Sequence, residues 1–310
     1  MIKGYNLDPV LRERIQGLPR RQIHVCKAVA PNADYLYDAI PHGHLFHTIL
    51  EAVAVAQAYD DIIVWPGQYK ETATIALKYD SMKLLAAEMG PFGRCLTRTE
   101  IRQYGHVDTP CMSIETGHNI EVAGFRITPY DPGTLSTAIN LGQTAATYGA
   151  YIHHNYFYGV ASGATGPCFV RMGTVDTLDA DSAFIYRNDF YCGGASNDSV
   201  GQIEWLSAGR AQIRENNFWT QGNVATAFAI NIDNANGMRG GIFDNRFMNI
   251  EIGLTGSRAV AINNPAYAGG DILIDGNHFI NYSTTAQCIA NLANTGVGVN
   301  YLNEHIIAGG

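Results

Sequence analysis

In the second half of the chain the apolar positions fall into short runs, and one run keeps returning. It reads Ile152-His153-His154-Asn155-Tyr156-Phe157, Ile185-Tyr186-Arg187-Asn188-Asp189-Phe190, Ile213-Arg214-Glu215-Asn216-Asn217-Phe218, Ile242-Phe243-Asp244-Asn245-Arg246-Phe247 and Ile274-Asp275-Gly276-Asn277-His278-Phe279. Each copy has the form Ile-x-x-Asn-x-Phe, and subtracting successive asparagine numbers gives periods of 33, 28, 29 and 32 residues. Self-similarity at that spacing predicts a stacked repeat architecture in which each unit is covered by its neighbours.

A second phrase keeps step with the first: Ala138-Ile139-Asn140-Leu141, Cys168-Phe169-Val170-Arg171, Gln202-Ile203-Glu204-Trp205, Ala229-Ile230-Asn231-Ile232, Ala261-Ile262-Asn263-Asn264 and Cys288-Ile289-Ala290-Asn291, with central apolar residues at 139, 169, 203, 230, 262 and 289. Each period therefore holds two short β-like runs separated by Gly, Asn, Ser and Thr, and no helix per repeat is expected. Ile and Phe are five apart, which would put them on opposite faces of an unbroken strand. A left-handed bend at the asparagine, a residue that tolerates that conformation, would turn both inward. Stacked copies would then align Asn155, Asn188, Asn216, Asn245 and Asn277 into a ladder of carboxamides.

The first half supplies an opening for such a coil. Thr48 to Ala58 reads as a short capping helix, and Asp60-Asp61-Ile62-Ile63-Val64-Trp65-Pro66-Gly67-Gln68-Tyr69-Lys70-Glu71-Thr72 as an apolar strand, a Pro-Gly turn and a second strand. With the inward Ile and Phe columns, these segments resemble the pectin-lyase-like right-handed parallel β-helix superfamily over about residues 48–307. The fold class expected is all-β: a right-handed parallel β-helix at 45–310, preceded by an N-terminal arm at 1–44. The resemblance is specific for fold and silent on activity.

Composition agrees with one elongated domain of 310 residues, with 33 glycines and only 15 % charged residues. The apolar runs fall short of a membrane span, and the N-terminus lacks the apolar stretch of a secretory signal, so the chain is expected to be made in the cytoplasm. The six cysteines, Cys26, Cys95, Cys111, Cys168, Cys192 and Cys288, show no Cys-x-x-Cys spacing and read as free thiols. Charge is uneven. Residues 1–27 carry Lys3, Arg12, Arg14, Arg20, Arg21 and Lys27 against Asp8 and Glu13, six minus two or +4, on a chain of net charge -8. Arg12, Arg14, Arg20 and Arg21 are therefore candidate attachment residues for an acidic partner. No basic stripe continues into the body, so direct nucleic-acid binding is not expected. No lysine follows Lys83, a bias that fits flanks buried between subunits.

Catalytic chemistry is sparse in the repeats. Two positions after Ile stand His154, Arg187, Glu215, Asp244 and Gly276; before Phe stand Tyr156, Asp189, Asn217, Arg246 and His278. Arg187 beside Glu215, and Asp189 diagonal to Arg246, read as compensated charges on neighbouring rungs. Glu215 and Asp244 are the adjacent carboxylates of these columns, and so the weak candidates for an acid–base pair. Asp176-Thr177-Leu178 resembles the Gln-Asp-Thr-Leu segment of pectin methylesterases, with Val175 in place of the glutamine; Asp176, Asp179 and Asp181 also crowd as for Ca²⁺, without the EF-hand spacing. His42, His44 and His47 form a cluster with metal-binding spacing. No cofactor is expected.

The tailspike-like branch of the superfamily implies a homotrimer held on a bacteriophage particle by its N-terminal segment, with capsid or tail proteins as partners and a host-surface polysaccharide as a further contact. The expected role is thus a non-enzymatic virion part, a capsid decoration or short tailspike-like appendage. The alternative is a polysaccharide lyase, hydrolase or carbohydrate esterase of the same fold.

Overall fold

The structure, a computed structural model, describes residues 20–27, 40–88, 99–103, 109–129, 137–142, 147–160, 168–173, 180–193, 201–206, 209–220, 228–233, 239–249, 258–262, 272–282, 288–291, 299–302 and 305–307. These residues form a right-handed parallel β-helix of three sheets, with 12, 9 and 8 strands. The first sheet runs from Leu45–Phe46 through Gln22–Val25, Asp61–Val64, Lys83–Ala86, His118–Ala123 and Thr147–His153 to Val299–Leu302. The second runs from Gly67–Glu71 to His305–Ile307, and the third from Ile75–Leu77 to Ile289–Asn291.

Three inward columns explain why this sequence coils. Ile152, Ile185, Ile213, Ile242 and Ile274 are fully buried, as are Phe157, Phe190, Phe218, Phe247 and Phe279. The phenylalanine rings stack nearly parallel at centroid spacings of 4.8, 4.8, 4.9 and 5.1 Å, which is the interstrand distance of a sheet. Between them runs the asparagine column. Asn188 Nδ2 donates to Asn216 Oδ1 at 3.1 Å and Asn216 Nδ2 to Asn245 Oδ1 at 3.0 Å, while each Oδ1 also accepts the backbone N–H of the preceding asparagine. The same Nδ2 atoms donate back to Ile152 and Ile185 carbonyls at 2.9 Å. A column of buried carboxamides is thereby fully bonded.

The bend is not where the pattern suggested. The left-handed residues are those before each asparagine: His154 (φ 54°), Arg187 (55°), Glu215 (55°), Asp244 (52°) and Gly276 (69°). The asparagine side chain must point inward to join the ladder, so the turn is made one residue earlier, where the side chain faces solvent. The third-sheet column also corrects the alignment: it reads Ile139, Val170, Ile203, Ile230, Val260 and Ile289, one residue off at Phe169 and two at Ile262.

The N-terminal end is closed by helix α1, Ile49–Val55, with Thr48 as N-cap in a capping box with Glu51. Its Ile49 N–H is also bonded by the buried Glu71 carboxylate at 3.0 Å. Tyr69, buried beside it, donates to the Trp65 carbonyl at 2.8 Å. Gln22–Val25 lies inside the first sheet, paired in parallel with Asp61–Val64 and with Leu45–Phe46. The solenoid therefore takes in residues that the charge pattern assigned to the arm. Among the described residues, no helix is long and apolar enough to cross a membrane.

Candidate functional site

Arg20 and Arg21 face the body of the helix. Arg20 Nε meets Asp61 Oδ1 at 2.6 Å, and Arg21 Nε meets Asp60 Oδ1 at 3.0 Å while its Nη2 bonds the Val55 carbonyl at 3.0 Å. Both pin the first strand to the next turn; Arg12 and Arg14 lie outside the described residues. The histidine cluster is likewise turned to backbone. His44 Nδ1 meets the Gln22 carbonyl at 3.1 Å and His47 Nδ1 the Cys26 carbonyl at 3.0 Å, so the two rings bind different residues. His42 belongs to the short 3₁₀ turn 42–44. Among the described residues no group of three or more His, Cys, Asp or Glu is arranged for a metal.

Glu215 and Asp244, the expected acids, occupy the same corner position on successive rungs. Glu215 Oε2 pairs with Arg187 Nε at 2.7 Å, one rung before it. Asp244 Oδ1 lies against Gly276, one rung after it, where an added Cβ would sit only 2.5 Å away. Asp189 is bonded by Asn217 Nδ2 at 2.7 Å, the residue between it and Arg246. Asp176 and Asp179 lie outside the described residues, and Asp181 is gripped by Arg210 at 3.0 and 2.9 Å, which holds its carboxyl down to about 2.

Two arrangements that the sequence reading passed over meet at one corner. On the second sheet, the position after each Phe faces outward and reads Tyr158, Tyr191, Trp219, Met248 and Ile280 in register. Tyr158 and Tyr191 stack at 5.5 Å with planes 7° apart. The Arg126 guanidinium covers Tyr158 at 4.8 Å and Tyr156 at 5.7 Å, a cation–π geometry. Glu100, one rung earlier, accepts from Gln68 at 2.7 Å and from Thr128 at 3.1 Å. The result is a half-buried aromatic platform flanked by a column of Glu100, Arg126, Tyr156, Asp189 and Asn217.

Around the asparagine corner, on the first sheet, Glu121 Oε1 meets His153 Nε2 at 3.0 Å, and His153 Nδ1 meets His154 Nδ1 at 2.8 Å. Lys83 Nζ adds a 3.0 Å ion pair to Glu121. The His153 hydrogen bond, helped by Lys83, holds the Glu121 carboxyl at about 2 despite its burial. Tyr186 stacks on His153 at 4.7 Å, and the Arg214 guanidinium covers Tyr186 at 5.6 Å. Burial, then the neighbouring His153 and Arg187, push the His154 imidazole down.

On the third sheet, Thr137–Leu141, Gly201–Trp205 and Phe228–Ile232 are buried on both faces. One column there holds the ion pair Arg171–Glu204 at 2.7 Å between Asn140 and Asn231. That column is largely buried, whereas Tyr156, Tyr158, Tyr191 and Trp219 on the second sheet are half-buried.

No family model matches the chain, and no curated protein matches it. Solved structures do. A pectin methylesterase variant in complex with a hexasaccharide superposes with a TM-score of 0.53 at 11 % identity, covering 94 % of this chain and 91 % of that one. Pectin methylesterase PemA from Erwinia chrysanthemi superposes with a TM-score of 0.53 at 10 % identity and the same coverage of 94 % and 91 %. A Geobacillus virus E2 protein, ORF18, aligns over 96 % of this chain and 62 % of its own at 12 % identity; its TM-score of 0.38 supports no argument. At these identities the likeness shows the fold alone, a parallel β-helix.

Proposed function

We propose that the chain is a non-catalytic, glycan-contacting β-helix of a bacteriophage particle, a capsid decoration or short tailspike-like appendage. The aromatic column Tyr158, Tyr191 and Trp219 carries this reading. Flat, half-buried rings present apolar faces to the C–H face of a sugar ring, while Arg126 and Asn217 beside them offer hydrogen-bonding groups for its hydroxyls. The acids of this surface are engaged by partners: Glu100 by Gln68 and Thr128, Asp189 by Asn217, Glu215 by Arg187. Carboxylates held this way suit positioning of a ligand. Parallel ladders stapled by asparagine and phenylalanine columns give a rigid rod, the mechanical character a coat part needs. A homotrimer with arginine-rich contacts fits the lysine-poor flanks.

One observation favours a second reading, a carbohydrate-processing enzyme. Glu121, His153 and His154 form a line of hydrogen-bonded groups one corner from the aromatic platform, and a carboxylate-oriented imidazole is the usual proton-transfer device. The test is retention of capsule polysaccharide, lipopolysaccharide and pectin by the purified protein, with released methanol and new reducing ends measured in the same samples. Binding that Tyr191→Ala abolishes, with the glycan recovered intact, supports the first reading. Release of product that His153→Ala abolishes overturns it and establishes the second. Capsid or tail genes beside its own gene would test the particle assignment.

A further inference from the structure

The outer face of the second sheet changes character along the axis. Ahead of the aromatic platform, one outward column holds Lys70, Arg102 and Thr128 on successive strands, and its neighbour holds Gln68, Glu100 and Arg126. Lys70 and Arg102 are exposed and Arg126 is half-buried. These positions carry three cations against one acid, three minus one or +2, on a chain of net charge -8. Like charges directly opposite on neighbouring strands cost stability, and Lys70 and Arg102 are such a pair. An anion placed over them removes that cost.

Arg126 is the best placed of the three. Its guanidinium lies over Tyr158 at 4.8 Å and over Tyr156 at 5.7 Å, so it is held by ring faces rather than by an acceptor. Its Nε has no hydrogen-bond partner among the described residues. Glu100, the acid opposite it in register, stands 3.6 Å from that nitrogen, beyond hydrogen-bond length. The Glu100 carboxylate accepts instead from Gln68 at 2.7 Å and from Thr128 at 3.1 Å. Asp189, two rungs further on, is buried and bonded by Asn217 at 2.7 Å. Both neighbouring acids are thus taken up within the protein, and the positive charge of the step is left in excess.

We propose, resting on the glycan reading, that the bound glycan is acidic and that Lys70, Arg102 and Arg126 form the step that takes its charge. The ligand class is a chain bearing uronic acids. A planar carboxylate matches the forked donors of arginine, and a uronic acid carries that group on the sugar ring itself. Charge and apolar surface are then read side by side: the carboxylate on the cationic step, the sugars beyond it on the platform that begins at Tyr158. The order of the two along the axis also gives the bound chain a direction, with its charged end toward the N-terminal turns.

The experiment measures binding of the full-length protein to polygalacturonate, hyaluronate and a glucuronic acid capsule polysaccharide, each beside its carboxyl-reduced form, at neutral pH over a salt series. The acidic form of at least one should bind about 10-fold tighter than its reduced form, the worth of one hydrogen bond to a charged group. That preference should shrink as salt rises. Arg126→Gln and Arg102→Gln should each lower it at least about 3-fold, whereas Arg239→Gln, which removes an exposed cation of the first sheet, should leave it unchanged. Arg102 is exposed, so its substitution decides the matter even where Arg126→Gln fails to fold. Equal binding of acidic and reduced forms, or a preference that neither Arg126→Gln nor Arg102→Gln alters, would overturn the acidic step and leave the glycan reading standing. Failure of every glycan to bind in either form would overturn both.

Discussion

Replacing Asn216 by Ala removes a middle link of the ladder. Its side chain is 1 % exposed and makes four hydrogen bonds: Oδ1 accepts from the Asn188 N–H at 2.9 Å and from Asn188 Nδ2 at 3.1 Å, and Nδ2 donates to the Ile185 carbonyl at 2.9 Å and to Asn245 Oδ1 at 3.0 Å. At about 0.5–1.5 kcal/mol net per bond the loss is about 2–6 kcal/mol. The upper half of that range applies, since the Asn188 N–H, fully buried, loses its side-chain acceptor. Urea unfolding, followed by fluorescence of the buried Trp205, measures the shift in midpoint. Asn216→Asp gives a second measure: it keeps the Oδ1 acceptor but turns a bare oxygen toward the Ile185 carbonyl and Asn245 Oδ1, so it should cost about as much. A cost for Asn216→Ala below about 1 kcal/mol would refute the view that the column is a stapled ladder, and would leave the phenylalanine stack to hold the coil alone.

Gly240→Ala should be among the least tolerated changes of the first sheet, because at φ 145° an added Cβ would stand 1.9 Å from the Ala211 carbonyl oxygen and the backbone must shift; thermal unfolding checks this, and an unchanged Tm would contradict the register. Acid should loosen the Asp181–Arg210 link. Arg210 depresses the Asp181 carboxyl to about 2, so the link stabilises above the unfolded value near 3.9 and is lost as pH falls through about 2. With Arg210 largely exposed, solvent screening keeps the contribution small. Asp181→Asn should flatten stability between pH about 4 and 2, and an unaltered acid limb would count against the pair. Truncation should separate folding from attachment. Removing residues 1–26 strips Ile23 and Val25, both buried, from the first sheet and should cost about 3–6 kcal/mol, whereas removing 1–18 keeps the strand and the Arg20 and Arg21 pairs. If Arg12 and Arg14 hold the protein on a particle, the shorter deletion should lower binding at unchanged Tm; full binding in both deletions would place attachment elsewhere.

The Ile, Asn and Phe columns were legible because packing repeats: every rung must present the same inward shapes to the next. What does not repeat was misread or missed. The left-handed position is filled by His, Arg, Glu, Asp and Gly in turn, so no residue type announces it, and the asparagine beside it drew the assignment. Arg20 and Arg21 counted as surface charge, since nothing local reveals that Asp61 and Asp60, 41 and 39 residues away, lie one turn above them. Phe169 and Ile262 fell out of register because the turns before them differ in length and any nearby apolar residue mimics the column. The aromatic platform is within reach of the sequence, as the residue after each of the first three repeat phenylalanines reads Tyr158, Tyr191 and Trp219. The Glu121–His153 bond needed one step more. Glu121 lies 32 residues before His153, within the span of the repeat periods, so once the repeat is known the carboxylate can be found by stepping back one turn. In a solenoid the sites are built across rungs, and stepping by the period is the operation that brings their residues together.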